Sequence, residues 1–271
     1  MHLFTPDNPV QHTIHWHTAF EIIYIAEGSA AFFVQDQHYE IGAGQALLIS
    51  NEELHCGVNT KQSGCKYYAI LFELDLPVGG LMDSVHSSFF DPLLKKKYKL
   101  PKVIKNEHPW EKDMIKQILE MIQMFEQKPL GFELAVKASL YRILFQIISN
   151  HQLVKNGDES RRANEHSAAI IKKALTFLHT HYSEKITLHD VASHVNMSES
   201  HFCKLFKTLT QKTFVEYINI YRINKACTLM KMKKCKALDA STEVGFNHYG
   251  YFVRLFKKYK KCTPTEYLET Q

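Results

Sequence analysis

Residues 202–218 read FCKLFKTLTQKTFVEYI, and residues 252–268 read FVRLFKKYKKCTPTEYL. Seven of the seventeen aligned positions are identical: Phe202/Phe252, Leu205/Leu255, Phe206/Phe256, Lys207/Lys257, Thr213/Thr263, Glu216/Glu266 and Tyr217/Tyr267. Lys204/Arg254 and Ile218/Leu268 are conservative besides. A sentence written twice in one chain means that one supersecondary unit is built twice, so whatever the first copy forms the second must form again.

In the first copy Phe202, Leu205, Phe206 and Leu209 fall at i, i+3, i+4 and i+7, the apolar stripe of a helix. Ser200, Cys203, Lys204 and Lys207 lie on the opposite stripe, and Ser198 stands where an N-cap belongs. Just upstream, Thr187 with Asp190 three along predicts a capping box opening a helix over LHDVASHV. Between the helices, Asn196 supplies a residue that tolerates the left-handed conformation of a tight turn. Helix, tight turn, helix with a polar outward stripe is a helix-turn-helix. In the second copy Gly245 takes the turn position, Asn247 is expected to cap, and Gly250, Val253, Arg254 and Lys257 are expected to face outward. Roughly Thr213–Lys233 reads as one joining helix, about 30 Å long at about 1.5 Å per residue. Successive major-groove faces of DNA lie about 34 Å apart, so such a helix could set two recognition helices into adjacent grooves.

Charge agrees with that direction. From Ser167 onward there are 17 Lys+Arg against 8 Asp+Glu, net +9, whereas residues 1–166 hold 16 against 20, net −4. A basic C-terminal part points to a polyanion at one end. The opening MHLFTPDNPV has no basic region followed by an apolar stretch, so no secretory signal is expected. No segment is long and apolar enough to predict a membrane span, and six cysteines without a CxxC pair read as reduced thiols of a cytoplasmic protein.

YINIYRINKACTLM (217–230) followed by EVGFNHYGYFVRLFKKYKKCTPTEY (243–267) resembles the C-terminal domain of AraC/XylS-type bacterial transcription regulators. The landmarks are Arg222, Ile223, Ala226 and Leu229, then Gly245, Phe246, Tyr251, Phe252, Arg254, Phe256, Lys257, Thr263, Pro264 and Tyr267. One departure is that Ala237, Ala240 and Ser241 stand where that family offers bulky aliphatics. The resemblance implies sequence-specific binding of double-stranded DNA, for which the outward stripe and cap of the first unit offer Ser198, Ser200, His201, Cys203, Lys204 and Lys207. The second unit offers Asn247, His248, Tyr249, Gly250, Val253, Arg254, Lys257 and Lys258. The resemblance further implies a homodimer, a small-molecule effector, RNA polymerase as a partner, and an activator.

The first half reads differently. Residues 14–75 carry short runs rich in β-branched and aromatic residues, punctuated by Gly28, Gly42, Gly44, Gly57 and Gly64, which suggests a sandwich or small barrel. Helices are predicted over Trp110–Phe125 and Phe132–Asn150. The stripe Leu140, Ile143, Leu144, Ile147 and Ile148 serves either packing on the barrel or a dimer seam. The fold class expected is α+β multidomain. Residues 1–153 are expected to form a sensory and dimerisation domain, with a barrel over about 10–80 and helices over about 108–152. Residues 154–167, VKNGDESRRANEHS, are expected as a linker, and 168–271 as an all-α DNA-binding domain of two helix-turn-helix units joined by a linker helix.

HWHTAFEIIYIAEG gives His15-x-His17-x3-Glu21-x6-Gly28, and HCGVN gives His55-x3-Asn59. On one strand, positions 15, 17, 19 and 21 share a face, with His55 arriving from another strand. These stretches resemble the two cupin motifs, whose barrels carry a metal site of three histidines and a carboxylate. The second motif lacks the proline and glycine of the family's PxGxxH turn. His15, His17, Glu21 and His55 are therefore expected as a divalent-metal site, as polar groups of an effector pocket, or as structural residues. The overall expectation is a regulator rather than an enzyme. The alternatives are a metal-dependent cupin enzyme carrying a DNA-binding domain, and a ligand-independent regulator.

Overall fold

The computed structural model describes residues 2–4, 13–58, 65–74, 84–155, 158–233 and 235–269, and the chain divides into two compact units, 1–161 and 162–271. Asn59 and Gly64, singled out above, lie outside the described residues.

The first unit is built on two sheets. Its strands are β1 (His2–Phe4), β2 (Phe20–Glu27), β3 (Ser29–Val34), β4 (Gln37–Gly42), β5 (Ala46–Ile49), β6 (His55–Val58) and β7 (Lys66–Phe72). A π-helical turn (His86–Phe90) runs into α1 (Asp91–Leu94), followed by short β8 (Tyr98–Lys99) and β9 (Val103–Ile104). One sheet has the order β1-β7-β2-β5-β9 and the other β4-β3-β6, every pair antiparallel. Strand β2 shows why the layers stack as they do. Side chains alternate between faces, so Phe20, Ile22 and Tyr24 enter one core while Ile23 and Ile25 enter another. The first core is completed by α2 (Pro109–Gln127) and α3 (Phe132–Ser149), the second by Ala30, Phe32 and Val34 of the three-stranded sheet. β2 is thus buried on both faces, which is why FEIIYI reads as an almost unbroken apolar run. Glu21, on the face of Ile23 and Ile25, is the exception.

Both helices match their expected spans to within two residues. Leu140, Ile143, Leu144 and Ile147 are buried in the core with Phe20 and Ile22, so packing on the sheet is what that stripe does; Ile148 is half-buried. Each such aliphatic side chain contributes about 1.5–3 kcal/mol of transfer free energy. The opposite face of α3 exposes Leu134, Tyr141 and Phe145 at 74%, 41% and 56%.

The segment expected as a linker is largely regular structure. β10 (Val154–Lys155) pairs with β8, and α4 (Asp158–His181) covers most of the remainder, with the boundary between the compact units falling inside it. DESRRANEH is highly charged, but it is also rich in helix-compatible residues, and a solvated helix and an open linker share that composition.

The second unit continues with α5 (Leu188–His194), α6 (Glu199–Thr210), α7 (Phe214–Lys233), α8 (Ala237–Glu243), α9 (Tyr249–Lys260) and α10 (Pro264–Glu269). Phe202 and Phe206 are fully buried in the first helix-turn-helix, as Phe252 and Phe256 are in the second. The duplicated Thr and Glu are also explained. Thr213 and Glu216 form a capping box at the start of α7, and Thr263 and Glu266 form one at the start of α10. Of the seven identical pairs, Lys207/Lys257 is exposed in both copies, whereas the aromatic and leucine pairs pack the core and the Thr and Glu pairs cap helices. The turns use Asn196 at φ 56° and Gly245 at φ 89°. A Cβ on Gly245 would lie 2.5 Å from the Ser183 carbonyl oxygen, so glycine is required there by space as well as by dihedral. The small residues Ala237, Ala240 and Ser241 are all buried, and Ser241 Oγ donates to the Leu238 carbonyl at 2.7 Å. No helix among the described residues is long and apolar enough to cross a membrane.

Candidate functional site

The residues expected to contact nucleic acid lie on α6 and α9 and at the starts of those helices. On α6 and its cap, Ser198, Ser200, His201, Cys203, Lys204 and Lys207 are all exposed. Ser198 is the N-cap, its side chain accepting from His201 N–H, and Asp190 and Thr187 cap α5 reciprocally. On α9, Asn247, His248, Tyr249, Gly250, Arg254, Lys257 and Lys258 are exposed. Two expectations change here. Val253 is half-buried against the core of the second unit rather than facing outward, because the stripe built on Phe252 and Phe256 is wide enough to include it. Asn247 is not the N-cap of α9; that position falls one residue later, on His248, whose side chain makes no capping bond.

Sequence reading missed the support beneath Arg254. Its guanidinium carbon lies 5.2 Å from the centre of the Tyr251 ring, and Tyr251 Oη accepts a hydrogen bond from Asn219 Nδ2 at 3.1 Å. The contact joins residues 32 apart in sequence, and the one available signal was a polar Asn219 amid the apolar residues of α7. Arg222, a landmark of the resemblance, donates to the carbonyls of Tyr182 at 2.6 Å and Glu184 at 2.7 Å, with its guanidinium 5.8 Å from the Phe246 ring. It ties the joining helix to the segment ahead of α5.

In the first unit His15, His17, Glu21 and His55 come together, one donor atom from each lying within 4.8 Å of all the others. The route differs from the expected single strand. β2 begins only at Phe20, and His15 and His17 precede it in an irregular segment. That segment is held by an isolated antiparallel bridge, His15 N–H to His55 O at 3.0 Å and His55 N–H to His15 O at 2.9 Å.

The rings are fixed from behind. Nδ1 of His15, His17 and His55 lies 3.1, 2.9 and 2.8 Å from the carbonyls of Thr13, Ala19 and Glu53, which assigns the Nδ1 proton of each ring to a backbone acceptor. Nε2 of each is left to face the shared centre, the arrangement in which outer partners orient metal-binding imidazoles. His17 Nε2 is 3.1 Å from Glu21 Oε2 in a hydrogen bond. His55 Nε2 is 3.0 Å from the same oxygen, but not aligned as a hydrogen bond, so it is a buried polar atom without one. Ser50 Oγ and Asn51 Oδ1 are in the same position, in a turn that backs His17 through Glu52 N–H to His17 O at 2.7 Å.

Electrostatics follow from burial and pairing. Burial, then the neighbouring His55, draw His15 down to about 4, so it is neutral near pH 7. Burial also opposes charge on His17, but its bond to Glu21 and that carboxylate's charge outweigh it and raise its pKa. Burial would push Glu21 up; contacts with His17 and His55 overcome this and hold it down at about 2. The cluster therefore offers an ionised carboxylate and, in His15, a neutral imidazole, beside a His17 that its bond to Glu21 favours in the charged form; three imidazoles and a carboxylate are the donor types that suit a divalent transition metal.

A family described as AraC-like ligand binding domain matches residues 7–144, and one described as Helix-turn-helix domain matches residues 191–270. The chain is 27% identical over 254 residues to the uncharacterized HTH-type transcriptional regulator YdeC of Bacillus subtilis, covering 94% of this chain and 85% of YdeC. It is 26% identical over 156 residues to the Msm operon regulatory protein of Streptococcus mutans, covering 57% of this chain and 54% of that protein. Among solved structures, ToxT from Vibrio cholerae aligns over 99% of this chain and 94% of its own at a TM-score of 0.47 and 15% identity.

Proposed function

The chain belongs to the AraC family of helix-turn-helix transcription regulators, and from that premise we propose that it is an effector-responsive activator whose response is set by the cluster of His15, His17, Glu21 and His55. It acts in the cytoplasm on double-stranded DNA through α6 and α9, and recruits RNA polymerase. The observation that carries the reading is the cluster itself: four convergent donors, three with ring orientation fixed, in the unit that bears no helix-turn-helix. Glu21 is 7% exposed, and a carboxylate is expensive to bury unless partners or a ligand compensate it. A ligand shifts an equilibrium only by its differential affinity for two states. The irregular segment carrying His15 and His17, joined to β6 at His55, is what a ligand at this centre would hold in one arrangement.

A divalent metal is favoured among ligands by the three fixed rings and by the approach of the Nε2 atoms of His17 and His55 to one buried carboxylate oxygen of Glu21. His15, His17, Glu21 and His55 would hold it, and when bound it would supply a Lewis-acidic cross-link between β2, β6 and the segment before β2. No turnover is assigned to the site, since a sensor needs saturable binding alone. The protein works as a homodimer through the exposed stripe Leu134, Ala138, Tyr141 and Phe145, spaced i, i+4, i+7 and i+11 as in a heptad seam. A twofold copy of the same stripe is its occupant.

Three measurements test these readings. Purified protein is assayed for bound metal, and a reporter is titrated with candidate effectors in wild type and in H17A/E21A. We expect the double variant to lose or lock the response while still binding DNA. A wild-type dose response in that variant, with no metal in the parent, reduces the four residues to core polar groups. Sedimentation of L134E/F145E should give a monomer, and an unchanged dimer removes α3 from the interface.

A further inference from the structure

The two recognition helices are anchored by different means. α6 starts at a side-chain cap, Ser198, whereas α9 starts at His248 with no side-chain capping bond. What α9 has in its first turn is Tyr251, bonded through its hydroxyl to Asn219 of α7 at 3.1 Å. Asn219 is 6% exposed, so its amide is withheld from water and the hydroxyl meets part of its bonding capacity. The exposed face of the same ring carries the Arg254 guanidinium at 5.2 Å, one turn further along α9. Residue by residue, the first unit has His201 where the second has Tyr251 and Lys204 where it has Arg254. Among the described residues, no ring contact supports Lys204.

We propose that Asn219 and Tyr251 are positioning residues for base readout, holding Arg254 in the conformation in which it meets a base edge. An arginine free in solvent loses rotamer freedom when it docks, and rigidifying a group in its bound conformation reduces that loss. A ring beneath the guanidinium does this by cation–π attraction while leaving the planar N–H fork free for guanine O6 and N7. The Asn219 bond fixes the ring in turn, against a helix that both recognition units share. Base discrimination by the second unit therefore depends on a buried amide that never touches DNA. The inference rests on the DNA-recognition reading above, and the following experiment separates the two.

Full-length wild type, R254A, Y251F, Y251A and N219L/Y251F are each used to select from a random-sequence duplex library. Bound sequences, affinity against salt and thermal midpoint are recorded. R254A should flatten preference at one base position, by roughly 5- to 150-fold. Y251F, which keeps the ring but loses the hydroxyl, should weaken preference at that same position by part of this factor, and Y251A by more. N219L/Y251F, which removes both polar partners and so leaves neither unsatisfied, should match Y251F in preference. The salt slope should stay as in wild type, because no phosphate contact is removed. If R254A alters a position that Y251F and Y251A leave at wild-type preference, the positioning role is overturned and DNA recognition stands. If the tyrosine variants lose affinity uniformly across sequences with a lowered midpoint, their role is structural and the proposal fails. If R254A changes no position, base readout by Arg254 falls and the proposal with it.

Discussion

The first helix-turn-helix unit is held by the ends of its helices and the second by its middle. In the first, Thr187 and Asp190 close the start of α5 and Ser198 closes the start of α6. In the second, Lys236 and His248 stand at the same two places without side-chain capping bonds. There, a glycine lies against the Ser183 carbonyl, Arg222 reaches past Phe246 to the carbonyls of Tyr182 and Glu184, and Asn219 grips Tyr251. The duplicated core letters Phe, Leu and Phe fix the shared fold, whereas the diverged letters decide how each copy is secured. Both units meet α7, the first through Phe206 against Tyr217 and the second through Tyr251 bonded to Asn219, but the first adds local side-chain caps at its helix starts that the second lacks.

The sharpest way to break that comparison is at the two turns. Gly245→Ala places a Cβ 2.5 Å from the Ser183 carbonyl oxygen at φ 89°, and should cost about 3 kcal/mol or more in chemical denaturation. Asn196→Gly, at φ 56°, changes the same position of the first unit to a residue that prefers that conformation, and should stay within about 0.5 kcal/mol of wild type. Equal effects at the two turns would mean that the Ser183 contact does not distinguish the copies.

The caps give a smaller effect of opposite sign in the two units. Ser198→Ala and Thr187→Ala should each destabilise by about 1 kcal/mol, while Lys236→Thr, which supplies a missing cap, should stabilise by about 0.5–1 kcal/mol. Denaturation midpoints read both. If Lys236→Thr were neutral while Ser198→Ala was costly, the second unit would be satisfying those helix ends by another route.

How much of this was legible depends on the range of the interaction. The stripe of Phe202, Phe206 and Leu209, the box of Thr187 and Asp190 and the turn at Asn196 are set by neighbours within four residues, and the pattern displays them directly. Asn247 was placed one residue off because the second turn is longer by one, and Asn and His are both credible in a turn. Val253 read as outward because a helical stripe has no sharp edge, and its width is set by partners elsewhere in the fold. His15 and His17 do converge with Glu21 and His55, but not as a strand face. Their placement comes from a backbone bridge across 40 residues, which no local period encodes. The bond between Asn219 and Tyr251 was invisible for the same reason. The charged segment 154–167 does contain the boundary between the two compact units, but its composition suits a linker and a solvated helix equally, and α4 runs through most of it.

The most direct test of the account is quantitative binding of full-length protein to a DNA site selected from genomic fragments, titrated with salt, for wild type and for K204A/R254A. Wild-type affinity should fall log-linearly with salt and should exceed affinity for scrambled DNA. The double variant removes one central side chain from each recognition helix. It should lose about 1–3 kcal/mol per replaced residue on the selected site, and so approach its affinity for scrambled sequence. A variant that bound the selected site as tightly and as selectively as wild type would show that α6 and α9 do not read the DNA.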